Sequence, residues 1–214
     1  CHDSSPRVEG EFHILNCASL PDDVAETELF GVEQSQFTSA ESKLGLIELA
    51  SGGTLVLDEI SEMSQQLQSK LLRVIEDGHY RKVGHNQSIK VDLRIICTTC
   101  KDLSEAVEIG TFREDLYYRL NVFPIESPAL RERAADIPLL LQELAHRLEN
   151  NNENMVKFND DAMRSLMSHA WPGNVRELSN LVERLAILYP KQLVGIKELP
   201  VKYQYGNAPL PVST

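Results

Sequence analysis

Two hydrophobic rhythms follow one another along this chain. In the first part, short apolar runs of strand length alternate with stretches of helical period. Phe12-His-Ile-Leu-Asn16 reads as a strand, and so does Thr54-Leu-Val-Leu-Asp58, entered through Gly52-Gly53 and left through the adjacent acids Asp58-Glu59. Residues 91–97 alternate and then become wholly apolar, as a central strand does. Between these runs, residues 22–29 read as a helix, with Pro21 near the first turn and acids early, and residues 44–50 as a short one. Met63, Leu67, Leu71, Val74 and Ile75 recur at near-helical spacing, which predicts an amphipathic helix over 62–76 stopped by Asp77-Gly78. Residues 80–86 read as a turn or hairpin, 111–120 as a helix and 122–125 as a short strand. Strand and helix in alternation predict an α/β fold, a parallel sheet with helices on its faces. After Pro128 only helical patterns remain, over 136–148, 160–169 and 173–188. The resulting division is an α/β unit over 1–127, a smaller all-α unit over 128–200, and a linker over 201–214, where Gly206, Pro209 and Pro211 fall.

Charge and composition narrow the function classes. The 214 residues carry 21 basic and 32 acidic side chains, a net charge of −11, which argues against this chain being the part that grips nucleic acid. A DNA-binding module is expected elsewhere. No apolar run approaches the ~20 residues of a membrane span, and Cys1-His2-Asp3-Ser4 lacks the shape of a signal peptide, so a cytoplasmic protein with no membrane partner is expected. Cys97-Thr-Thr-Cys100 has the spacing of a redox or zinc half-site. However, Cys97 ends the apolar run and no second Cys pair or close His pair accompanies it, so both read as strand-end cysteines.

The candidate chemistry collects where strands end. Asp58 and Glu59 stand at a carboxyl edge, where open α/β sheets bind ligands. In a nucleotide hydrolase the first acid of such a pair holds Mg²⁺ through water and the second activates the attacking water; acids that merely end a strand at the solvent boundary give the same spelling. Asn16 falls at the carboxyl end of another strand. Arg113 and Arg119, six residues apart, lie roughly 240° apart on a helix and cannot share its face. They address different targets, or one lies beyond the helix end, or both are solvated surface charges. Arg176 falls in a first helical turn, where the dipole disfavours a cation; it fits beside a bound phosphate or pairs with Glu177 or Glu183. Phe37, in the polar stretch 31–42, either folds back on its own domain or meets a partner.

Six ordered motifs then combine: Glu28-Leu-Phe-Gly31, Gly52-Gly-Thr-Leu-Val-Leu-Asp-Glu59, Leu71-Leu-Arg-Val74, Phe112-Arg-Glu-Asp-Leu-Tyr-Tyr-Arg-Leu-Asn121, Leu130-Arg-Glu-Arg133 and Trp171-Pro-Gly-Asn-Val-Arg-Glu-Leu178. From about Glu11 to Pro200 the chain resembles the central AAA+ ATPase domain of bacterial enhancer-binding proteins, the activators of sigma-54 RNA polymerase. The phrases running from Gly110 to Glu126 and from Asn180 to Ile187 look most like flagellar master regulators of the FleQ/FlrA type. The resemblance implies a P-loop NTPase fold with a helical lid, ATP and Mg²⁺ as cofactors, and a homo-oligomeric ring, usually a hexamer or heptamer. It implies Asp58 and Glu59 as Walker B acids, Asp58 facing the metal through water. It makes Asn16 the residue that restrains Glu59, and Arg113 and Arg119 fingers acting in trans. Arg176 becomes the sensor II arginine of the lid, and Thr99 the sensor I position. Phe37 and Thr38 belong to the loop that contacts the sigma-54 factor, and Glu143 with Arg147 matches a Glu-x-x-x-Arg pair of a cyclic di-GMP site, although that spacing equally describes a surface i,i+4 ion pair.

Three departures accompany the match. No Gly-x-x-x-x-Gly-Lys-Ser/Thr occurs, and the chain reads as a fragment beginning after the family's P-loop. The sigma-contact loop, Ser35-Gln-Phe-Thr-Ser-Ala40, has lost both of the family's glycines and the backbone freedom they give. Cys100 stands where the family has asparagine and is a poorer hydrogen-bonding partner. Two functions follow as expectations: a ring ATPase that remodels sigma-54 polymerase, and a DNA-bound regulator on the same fold that responds to nucleotide or cyclic di-GMP without touching the sigma factor.

Overall fold

The computed structural model describes residues 2–33, 42–152 and 156–204, so the loop readings at Phe37 and Thr38 lie outside the described residues. The chain forms two compact units, 1–124 and 125–214.

The first unit is built on a parallel sheet of β1 (Phe12–Asn16), β2 (Thr54–Asp58) and β5 (Arg94–Cys97), in the spatial order β1-β2-β5. Its helices are α1 (Asp22–Phe30), α2 (Leu46–Leu49), α3 (Gln65–Asp77), α4 (Leu103–Glu108) and α5 (Glu114–Leu120). Between α3 and β5, β3 (His79–Tyr80) and β4 (Ile89–Lys90) form an antiparallel hairpin. The α/β class and parallel pairing read from the sequence hold.

Strand β2 is central because both its neighbours pair with it and because Leu55 and Leu57 are fully buried. Its entry requires glycine: a Cβ at Gly53 would stand 2.0 Å from the Glu11 carbonyl oxygen, at the crossing where the Thr54 N–H donates to that same oxygen. Helix α3 packs Leu67, Leu71, Leu72 and Val74 into the core. It begins three residues after the predicted start because residues 60–62 turn as a 3₁₀ helix and Met63 is extended. It ends at Gly78, left-handed at φ 63°, whose N–H donates to the Val74 carbonyl.

Two expectations for this region fail. Residues 122–125 form no strand, and Val122, Phe123 and Ile125 are exposed; an apolar run becomes a strand only with a neighbour to pair with. The helix predicted over 111–120 starts at Glu114, with Arg113 at its N-cap in extended conformation.

The second unit packs α6 (Ile137–Asn152), α7 (Asp160–Ser168) and α8 (Asn174–Leu188) around Trp171, which is fully buried and donates its indole N–H to the Leu166 carbonyl. It is not purely helical: β6 (Lys157–Phe158) and β7 (Leu193–Val194) make a short parallel ladder. The first residues of the expected linker are ordered into the unit. Residues 201–203 form a 3₁₀ turn that buries Tyr203, its ring stacked on Trp171 at 5.3 Å and its carbonyl accepting the buried Ser165 hydroxyl at 2.6 Å. Among the described residues no helix is long and apolar enough to cross a membrane.

Candidate functional site

Register builds the site. Asn16 stands opposite Asp58 across β1 and β2, and Leu57 stands opposite Cys97 across β2 and β5. The next row therefore aligns Asn16, Asp58 and Thr98 at the carboxyl edge. The Asn16 side-chain amide donates to one Asp58 carboxylate oxygen at 3.1 Å, and the Thr98 hydroxyl donates to the other at 2.5 Å. The strand ends are locked to each other as well: the Cys17 N–H donates to the Asp58 carbonyl, and the Ile60 N–H to the Thr98 carbonyl. Asp58 is thus a positioned acceptor whose remaining lone pairs open over the sheet edge.

Glu59 leaves that row because its backbone is left-handed, φ 55° and ψ 52°, a conformation uncommon outside glycine, asparagine and aspartate. Its carboxylate accepts the Cys100 backbone N–H at 3.2 Å. The Cys100 thiol also bonds this carboxylate, and that bond holds the thiol above its ordinary pKa. Burial pushes the Cys17 thiol up to about 11, with Asp58 adding to it, and the Cys97 thiol up to about 12, with Cys17 adding to it.

Two role assignments change with this geometry. Asn16 bonds Asp58 rather than Glu59, because cross-strand register sets it opposite Asp58 and its Oδ1 already accepts the Ala18 N–H. Thr99 turns into its own loop, its hydroxyl donating to the Lys101 carbonyl and accepting the Lys101 N–H. Thr98, which sequence reading passed over, makes the contact with Asp58, because the pairing of Cys97 with Leu57 sets Thr98 and not Thr99 beside it.

The two arginines converge on one stripe of α3. The Arg113 guanidinium makes two hydrogen bonds to Asp115, at 2.9 and 2.6 Å, and one to the Ser69 hydroxyl at 3.1 Å. Arg119 donates to Glu76 at 3.2 Å. Ser69 and Glu76 are two turns apart on α3, so they lie on the same face. The helical-wheel objection disappears because Arg113 precedes the first residue of α5.

In the second unit Arg176 is exposed in the first turn of α8. Its candidate acidic partners are engaged elsewhere. Glu177 accepts from the Gly173 N–H, Lys202 and the Tyr203 hydroxyl, and Glu183 accepts from Ser179. Burial would raise the Glu177 carboxyl, but these donors together bring it below its ordinary range. Glu143 and Arg147 form a 2.9 Å ion pair along α6, both side chains more than half exposed.

Among the described residues no cluster of three or more His, Cys, Asp or Glu is placed to enclose a metal. A lone carboxylate steadied by an amide and a hydroxyl suits Mg²⁺ held largely by water and phosphate oxygens.

Residues 1–126 match the family described as Sigma-54 interaction domain, and residues 131–213 match the AAA+ ATPase lid domain. Over 188 residues the chain is 51% identical to the Nif-specific regulatory protein of Azotobacter vinelandii, covering 87% of this chain and 36% of that protein. Over 194 residues it is 46% identical to the DNA-binding transcriptional regulator NtrC of Rhizobium meliloti, covering 90% and 40%. The chain therefore spans well under half the length of these relatives. Crystal structures of NtrX from Brucella abortus superpose with a TM-score of 0.86 at 40% identity, covering 94% of this chain and 46% of that one; the form in complex with ATP gives 0.84. Hsp104 shares the fold, at a TM-score of 0.60 and 17% identity.

Proposed function

Because this chain belongs to the sigma-54 interaction domain family, we propose that it is the ATP-hydrolysing core of a longer transcriptional regulator, which assembles as a ring and remodels sigma-54 polymerase. The observation that carries this reading is the row Asn16, Asp58, Thr98, an acid fixed at the carboxyl edge of a parallel sheet by donors from both neighbouring strands.

In the proposed mechanism Mg²⁺, when bound, neutralises charge on the phosphates. Asp58 would hold it through water, its own orientation fixed by Asn16 and Thr98. Glu59 polarises the attacking water and is itself held by the Cys100 amide until substrate is in place. Arg113 and Arg119 act on the nucleotide of the adjacent subunit, an effect worth roughly 10³ to 10⁵ in rate. In this subunit alone they rest on Asp115 and Glu76, so assembly exchanges an internal carboxylate for a phosphate. Arg176, without an acidic partner among the described residues, contacts the nucleotide of its own subunit.

The test is steady-state ATP hydrolysis by the full-length protein that carries this chain. Glu59→Gln and Arg119→Ala abolish turnover if the assignment holds, and undiminished hydrolysis in both overturns it.

A second reading rests on Ser35 and Ser39, which replace the glycines of the contact loop. On it, the protein is a DNA-bound regulator that responds to nucleotide or cyclic di-GMP, the latter at Glu143 and Arg147, without engaging the sigma factor. Open-complex formation with sigma-54 polymerase by the natural loop rules this out; rescue only by Ser35→Gly/Ser39→Gly supports it. Control of flagellar genes is the narrower proposal carried by the phrases Gly110 to Glu126 and Asn180 to Ile187, whereas one of the relatives is by name Nif-specific and another is NtrC. Promoter capture with the full-length protein decides between these targets.

A further inference from the structure

Gln68 is fully buried in the middle of α3, and every polar atom of its side chain is engaged by backbone. Its amide nitrogen donates to the Met63 carbonyl at 2.7 Å and to the Thr111 carbonyl at 3.1 Å, while its amide oxygen accepts the Arg113 N–H at 2.8 Å. Two carbonyls and one N–H fix the orientation of the amide, because the flipped form would set its oxygen against two carbonyl oxygens. Met63 directly follows the 3₁₀ turn Ile60–Glu62 that leaves Glu59. Arg113 is the N-cap of α5, a position where the cap's own N–H has no intrahelical partner. One side chain therefore joins the exit from the acidic strand end to the backbone of an arginine 45 positions away, and Asp115 and Ser69 then aim the guanidinium.

We propose that Gln68 is a positioning residue for Arg113, coupling the segment that leaves Asp58-Glu59 to the arginine that serves the adjacent subunit. This rests on the trans-acting reading of Arg113 given above. Gln68 touches neither nucleotide nor reacting atoms. It sets where the finger starts, and a finger displaced by about an ångström loses on the order of 10²-fold in rate. The arrangement also transmits in the other direction: movement of residues 60–63 when Glu59 is released shifts Met63, and through Gln68 it shifts the Arg113 backbone.

The experiment uses the full-length protein with Gln68→Met, close in volume but without the amide. The expected result is a kcat lowered by about 10²-fold with nucleotide affinity unchanged, and Gln68→Met/Arg113→Ala no slower than Arg113→Ala alone. Mixing settles the direction of action. Gln68→Met subunits retain their acids and Glu59→Gln subunits retain their fingers, so mixed assemblies regain hydrolysis that neither has alone. Arg113→Ala mixed with Glu59→Gln is the control. If that control fails to complement, the trans reading itself falls. If it complements and Gln68→Met does not, or if the double variant is additive, the role of Gln68 falls. Should Gln68→Met not fold, hydrogen exchange on the unmodified protein still decides: the Arg113 amide exchanges as slowly as the α3 core, and exchange at the rate of an open helix start overturns the proposal.

Discussion

Thr98 and Thr99 are adjacent, similarly exposed and chemically identical, so exchanging each for valine removes the hydrogen bonds of one hydroxyl at almost constant shape. The Thr98 hydroxyl gives Asp58 a 2.5 Å hydrogen bond and accepts the Glu59 N–H at 3.4 Å, whereas the Thr99 hydroxyl serves only the local turn at Lys101. A hydrogen bond to a charged group contributes about 1.5–3 kcal/mol when shielded. At an exposed sheet edge the lower end applies, and solvent reduces it to about 1 kcal/mol, or ~5-fold in an equilibrium or rate constant. Thr98→Val therefore lowers kcat for ATP hydrolysis by ~5-fold or more in the full-length protein, since Asp58 loses one of the two donors that orient it. Thr99→Val leaves kcat within a factor of about two, because breaking an exposed turn contact changes free energy by only a few tenths of a kcal/mol. The assay is steady-state phosphate release at saturating ATP and Mg²⁺, with nucleotide affinity measured separately. A Thr99→Val enzyme slowed more than the Thr98→Val enzyme would refute the register argument.

His169 provides a pH test. Its side chain is buried, its Nε2 has no hydrogen-bond partner among the described residues, and Glu177 lies 3.8 Å away. Burial depresses its pKa below the ordinary 6.5, against a smaller opposing pull from Glu177. The unfolded chain therefore takes up this proton first, so stability is full above pH 6.5 and falls as pH drops from there toward the folded pKa. Glu177, whose folded pKa is also depressed, adds a second loss below 4.5. The urea midpoint of the second unit should decline between pH 7 and 5.5, and His169→Phe, which keeps a ring against Trp171 and Tyr203, should flatten that decline. On α6, the exposed Glu143–Arg147 pair contributes only ~0.3–0.5 kcal/mol. Arg147→Ala should leave the melting temperature unchanged; calorimetry with cyclic di-GMP shows binding lost if the pair belongs to an effector site, and binding retained by the variant removes Arg147 from it.

What could be read from residues alone was local. The Gly52-Gly53 entry, the acids at the exit of β2 and the stop at Gly78 declare themselves within a few positions, and α3 and the parallel sheet followed from them. Where the reading missed, a distant partner decided. Thr98 was separated from Thr99 by the pairing of Cys97 with Leu57 across the sheet. For Arg113 the wheel arithmetic left open whether both arginines lie on the helix, and the buried Gln68 decides it by taking the Arg113 N–H ahead of the first residue of α5. The glycine and prolines beyond Gln204 made the tail look like linker and hid Tyr203, which completes the core over Trp171. The ladder of β6 and β7 has two residues per strand, too few to leave a period in the sequence.

The left-handed backbone at Glu59 separates what folding asks of this position from what chemistry asks. For a residue with a Cβ this conformation costs about 1–2 kcal/mol, and the same strand exit would be easier with glycine. Selection for stability or expression alone should therefore drift toward glycine or asparagine at position 59, while selection for work should hold glutamate against that drift. A collection of variants recovered under the two regimes would diverge here before it diverged at Leu55 or Leu57, where the demands of the core and of the site coincide.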